Sequence, residues 1–134
     1  MKDIFSPNVD SEQLGTLSSL ALAHVGDAVF ELMVRSWLAG GGKLTSGSLH
    51  KDTVQIVNAG AQAQFVKLLE PMLTEEERGV YKRGRNTRVG SIPKGASPEQ
   101  YHAATGLEAL FGWLWLSGAH ERLSRLFETA FPNE

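Results

Sequence analysis

The chain has 134 residues, 42% hydrophobic and 21% charged, with 13 Lys+Arg against 15 Asp+Glu and a net charge of -2. Residues 1–134 are expected to form a single domain with a real hydrophobic core. The negative total argues against general attraction to nucleic acid, and the lack of cysteine excludes disulfides, thiolate zinc sites and cysteine nucleophiles.

The first residues, MKDIFSPNVDSEQ, hold no apolar stretch of the secretory kind. Thr16 to Ala39 carries apolar residues on nearly every helical face and predicts a buried central helix. Three glycines, Gly40 to Gly42, end it. Leu44 to Asn58 predicts a second helix capped by Ser46 or Ser48, and Ala59 to Glu70 a third that stops at Pro71. Thr74-Glu75-Glu76-Glu77 has the pattern of a capping box and opens a helix towards Asn86. Arg88 to Pro98 is a polar loop punctuated by Gly and Pro. Ser97 and Pro98 start a helix to about Ser117, and a last one runs from Ala119 to about Ala130. No alternating strand pattern competes, so the expected fold class is all-α. Asp27 and Glu108 interrupt the two longest apolar runs, so no membrane span is expected.

Both interruptions need a physical reason. His24, Asp27, Glu31 and Arg35 fall on one stripe of the first long helix, spaced i, i+3, i+7, i+11. That stripe is either a solvated face carrying an Asp27–Glu31–Arg35 charge ladder or one edge of a cation site. Glu108 is the only charged residue between Gln100 and Ala119. A glutamate in such an apolar helix requires a partner, either an arginine or a metal ion. Asp27 and Glu108 together would make a hard, all-oxygen site that suits magnesium, which takes one or two carboxylates and completes its shell from water and phosphate. That chemistry points towards phosphodiester hydrolysis.

Arg78 to Pro98 carries Arg78, Lys82, Arg83, Arg85, Arg88 and Lys94 and no acid. The alternatives are a solvated flexible loop and a patch that neutralises phosphates without reading bases. Tyr81 is its only aromatic residue, so backbone recognition of a duplex fits better than stacking on a single strand. His24, His50, His102 and His120 lack the spacing of a zinc helix, and Gly40 to Gly42 lacks the flanks of a phosphate loop. Trp37, Trp113 and Trp115 are expected in the core or at a subunit interface.

VGDAVFELMVR, Val25 to Arg35, resembles the signature helix of ribonuclease III catalytic domains. TGLEALFGWLWL, Thr105 to Leu116, resembles that family's second acidic helix, and KRGRNTR followed by Ser-Ile-Pro-Lys is similar to its short Mini-III branch. The resemblance runs from about Leu17 to Phe127. It implies an all-helical, dimeric endonuclease that cuts both strands of double-stranded RNA with magnesium and leaves 5'-phosphate ends. Asp27 and Glu108 match the two retained carboxylates, catalytic and metal-binding. Two further acids of the larger enzymes are replaced by Ala23 and Thr105, losses that the Mini-III branch shares.

The chain length leaves no room for a separate RNA-binding domain, so Lys82, Arg83, Arg85, Arg88 and Lys94 are the expected RNA contacts. The branch further implies precursor large-subunit (23S) ribosomal RNA as substrate, a role in ribosome biogenesis, a cytoplasmic location and a ribosomal protein as an additional partner. Two rivals stay open at this point. One is a non-catalytic double-stranded-RNA-binding dimer, made thinkable by Ala23 and Thr105. The other is a small helical nucleotide phosphohydrolase, whose clustered ExxE acids Glu75-Glu76-Glu77 do not reproduce.

Overall fold

The computed structural model describes Phe5 and residues 9–42, 45–88 and 90–132, and among these every regular element is helical. Leu44, where the second expected helix began, and Val89 of the expected loop lie outside the described residues. The helices are α1 (Ser11–Thr16), α2 (Ser19–Gly40), α3 (Ser46–Val57), α4 (Ala59–Leu69), α5 (Glu75–Arg85), α6 (Pro98–Leu116) and α7 (His120–Glu128). A 3-10 turn, Glu70–Met72, follows α4.

Local hydrogen bonding explains most boundaries. The Thr74–Glu77 and Ser97–Gln100 capping boxes form as their spacing predicts. Asn58 serves two helices: its amide donates to Val54 O and Gln55 O at the end of α3, while its oxygen accepts from the Ala61 N–H of α4. Two expectations need correction. The long helix does not begin at Thr16, because Leu17 is extended and Ser18 accepts from the Ala21 N–H, which splits off α1. Thr45, not Ser46 or Ser48, caps α3, its hydroxyl accepting from the Ser48 N–H.

α6 is the centre of the fold, packed against α2, α4, α5 and α7. Its Leu107, Leu110 and Phe111 are almost wholly buried. Phe30 of α2 meets Phe65 of α4 at 5.8 Å and, edge-on, Phe111 of α6 at 5.7 Å; Phe127 and Phe131 stack at 4.3 Å beside them. All three tryptophans are half-buried against this core, and the Trp37 indole N–H donates to Pro132 O. The crossing of α2 and α6 is unusually close. A Cβ at Gly26 would lie 1.6 Å from Glu108 O, and one at Gly112 would lie 1.9 Å from Leu22 O. Gly26 is therefore what brings Asp27 and Glu108, each next to this contact, into one neighbourhood.

One buried ion pair ties α5 to α7. Arg122 donates from Nε and Nη2 to the two carboxylate oxygens of Glu77, each at 2.8 Å, and from Nη2 to Met72 O as well. The guanidinium holds the Glu77 carboxyl below its ordinary 4.5, although burial opposes this. A lowered folded-state pKa means that folding favours the ionised form. The stabilisation is complete above pH 4.5 and is lost as the pH falls below it. Glu77→Gln is expected to destabilise by about 2 kcal/mol at pH 7, the scale of a charge-assisted hydrogen bond. Urea unfolding of native and variant at pH 7 and pH 3 checks this, and the gap should narrow at the lower pH.

Candidate active site

α2 and α6 bring Asp27 and Glu108 together across their glycine crossing. The stripe on α2 is partly a wet face: His24, Asp27 and Arg35 are exposed, and Arg35 Nη2 pairs with Glu31 Oε1 at 3.4 Å. Such an exposed i, i+4 pair contributes about 0.3–0.5 kcal/mol. The ladder therefore reaches only from Glu31 to Arg35, and Asp27 turns instead towards Glu108. Among the described residues no arginine pairs with Glu108. The half-buried Glu108 carboxyl is pushed up to about 8, first by burial, then by the charge and hydrogen bond of Asp27; an amide donor, Gln62, pulls the other way. Two carboxyl groups in this contact need a shared proton or a cation between them.

The donor set fits a hard divalent cation. It offers two carboxylates, and among the described residues no group of three or more His, Cys, Asp or Glu is placed to hold a metal ion. Magnesium tolerates that sparse provision because it keeps waters and takes phosphate oxygens. Ala23 and Thr105, at the two replaced acid positions, face the core at 6% and 4% exposure. The Thr105 hydroxyl is engaged within its own helix, donating to Tyr101 O at 3.0 Å.

Beside Glu108 opens a cavity of about 500 Å³. Gln62 and Asn58 line one side, and Lys94, Gly95, Gln100 and Tyr101 the other. Gly95, at φ +90°, lets the Ser-Ile-Pro-Lys-Gly segment turn towards it. The structure therefore divides the basic segment. Lys94 lines the cavity beside Glu108, whereas Lys82, Arg83 and Arg85 sit on the last turn of α5, with Arg88 exposed just beyond. Arg85 is the most constrained, donating from Nε to Asn86 Oδ1 and lying 5.7 Å over the Tyr81 ring. Arg78 serves structure, since its Nη2 donates to Glu70 O at 2.8 Å.

Gln62 escaped the sequence reading, although a signal was there. Gln62, Phe65, Val66 and Leu69 follow i, i+3, i+4, i+7, so the amide lies on the apolar stripe of α4.

The class follows from the sequence over most of this helical core: residues 20–119 match the ribonuclease III domain. The "Mini-ribonuclease 3" of Symbiobacterium thermophilum is 44% identical over 115 residues, covering 86% of this chain and 88% of that protein. That of Thermoanaerobacter sp. strain X514 is 43% identical over 113 residues, covering 84% and 80%. A crystal structure of a Fusobacterium nucleatum protein superposes with a TM-score of 0.79 at 29% identity, covering 87% of this chain and 94% of that one. The chain belongs to the Mini-ribonuclease 3 branch of the ribonuclease III family and is an endoribonuclease.

Proposed function

We propose that residues 1–134 form one catalytic domain that cleaves double-stranded RNA with magnesium, as a cytoplasmic homodimer, leaving 5'-phosphate ends. The observation that carries this is the Asp27–Glu108 pair, of which Glu108 lines a cavity that Lys94 also lines. Asp27 and Glu108 hold the metal, which when bound supplies Lewis acidity for water activation and for stabilising the leaving oxygen. Lys94 neutralises a phosphate next to the acids. Lys82, Arg83, Arg85 and Arg88 grip the duplex backbone, a role that needs no base contacts.

An exposed apolar face supports the dimer: Val25, Ala28, Leu32 and Met33 of α2 line a groove with Trp115 and Leu123, and Leu32 is 57% exposed. Two copies joined there would present one acid pair to each strand. The proposed substrate is precursor 23S ribosomal RNA, with a ribosomal protein as a further partner, both as the resemblance implies.

The test is cleavage of a long end-labelled RNA duplex. Native protein should cut it with magnesium, and chelation should stop the cut. Lys82→Ala and Arg83→Ala should each weaken duplex binding and lower the slope of log affinity against log salt by about 1, leaving the single-turnover rate at saturation unchanged. Salt-sensitive binding without any cutting, across divalent metals, would instead establish a non-catalytic RNA-binding dimer. Release of phosphate or pyrophosphate from nucleoside triphosphates would favour a phosphohydrolase.

A further inference from the structure

Gln62 stands out among the buried polar groups. It is 3% exposed, and its buried Nε2 makes no hydrogen bond of good geometry, only the looser approach to Glu108 described above. Gln64, two residues on, is exposed to solvent. Leaving a buried amide unsatisfied is destabilising, and a leucine or methionine would serve packing on this stripe without that cost. Such an orphan needs an explanation. The cavity supplies one, because Gln62 and Glu108 line the same space and Glu108 is the acid that space contains.

We infer that Gln62 is the positioning residue of the acid pair: its Nε2 donates to one oxygen of the Glu108 carboxyl group and so orients that group towards Asp27, these two acids being the residues that would hold the cation. A neutral donor is the suitable group here. It fixes a carboxylate without competing for the metal, as a lysine would by charge, and without adding a third acid. Outer partners of metal-binding carboxylates commonly set affinity and activity in this way. The inference rests on the proposed metal reading of Asp27 and Glu108, and its test separates the two.

The experiment is Mn2+ binding to RNA-free protein, followed by electron paramagnetic resonance, for native protein and Gln62→Met. Methionine keeps the length and apolar contacts and removes the donor. The expected result is Mn2+ affinity about 10- to 100-fold weaker. The melting temperature without metal should be unchanged or higher, because an unsatisfied amide has gone. The KM for duplex should be unchanged, and the cleavage rate at saturating duplex should fall and recover as metal is raised. Gln62→Asn, which keeps the amide but shortens its reach, should move in the same direction and serves if the methionine variant does not fold.

Mn2+ affinity within about twofold of native in both variants overturns the positioning role while the acid pair stands. Native protein that binds no Mn2+ overturns the metal reading and the inference with it. A drop in melting temperature with metal affinity intact assigns Gln62 to packing alone.

Discussion

Gly26→Ala is expected to cost more than about 4 kcal/mol, at the extreme of single substitutions. The added Cβ would lie 1.6 Å from the Glu108 carbonyl oxygen, 2.5 Å from its carbon and 2.7 Å from the Gly112 nitrogen. Overpacking a core usually costs about 1–3 kcal/mol because side chains can change rotamer. Here all three obstacles are backbone of α6, the most central helix, so relief requires the two helices to separate. Separation would open the contacts between α2 and α6, including the Phe30–Phe111 pair. Against a typical total of about 5–15 kcal/mol, such a loss leaves little folded protein at 37 °C. Urea unfolding followed by circular dichroism measures it. Gly15→Ala is the control: nothing lies within 4 Å of its Cβ, and an alanine in α1 should be neutral or stabilising by up to about 1 kcal/mol. A Gly26→Ala midpoint close to native would contradict the close crossing. Any folded remainder should also bind metal poorly, because the residue that must move is Glu108.

The same glycine shows how far the sequence could be read. A glycine directly before Asp27 permits a close approach by a neighbouring helix or a partner subunit, and α6 of the same chain is what makes it. The all-helical class and most termini were legible because capping residues act within four positions, as Thr74–Glu77 and Ser97–Gln100 illustrate. The start of α2 was not, because the apolar pattern runs on through Leu17 and several adjacent hydroxyls could serve as the cap. Asp27 and Glu108 stood out as charges in apolar helices. Their pairing is a contact across 81 positions that periodicity does not encode, and the resemblance carried it. Arg122 with Glu77, 45 positions apart, was hidden for the same reason. Gln62 was legible on its stripe but carries no charge, so nothing marked it as more than a surface amide. The basic segment was visible as a cluster, while its division between the end of α5 and the acid cavity required the turn at Gly95.

Asp27→Asn and Glu108→Gln should each reduce duplex cleavage by at least about 10³-fold while leaving the fold and duplex binding in place. A bound metal contributes several kcal/mol to stabilising charge in the transition state, and each 1.36 kcal/mol is a factor of about 10. Since the site offers only these two carboxylates among the described residues, no neighbour can substitute for either. Stability should move the other way from activity. Asp27 is exposed, and its amide should change folding by less than about 0.5 kcal/mol. Glu108→Gln puts a neutral amide where burial and Asp27 both oppose the ionised carboxylate, so the metal-free protein should melt no lower than native. Functional sites commonly hold groups that the fold alone would reject. Measuring single-turnover cleavage, duplex affinity and melting temperature on the same preparations distinguishes the outcomes. Lost cleavage with retained binding and melting assigns the chemistry to the pair. Native-like cleavage in either variant removes that residue from the site. Loss of cleavage together with a lowered melting temperature would mean that the acids support the α2–α6 contact rather than the reaction.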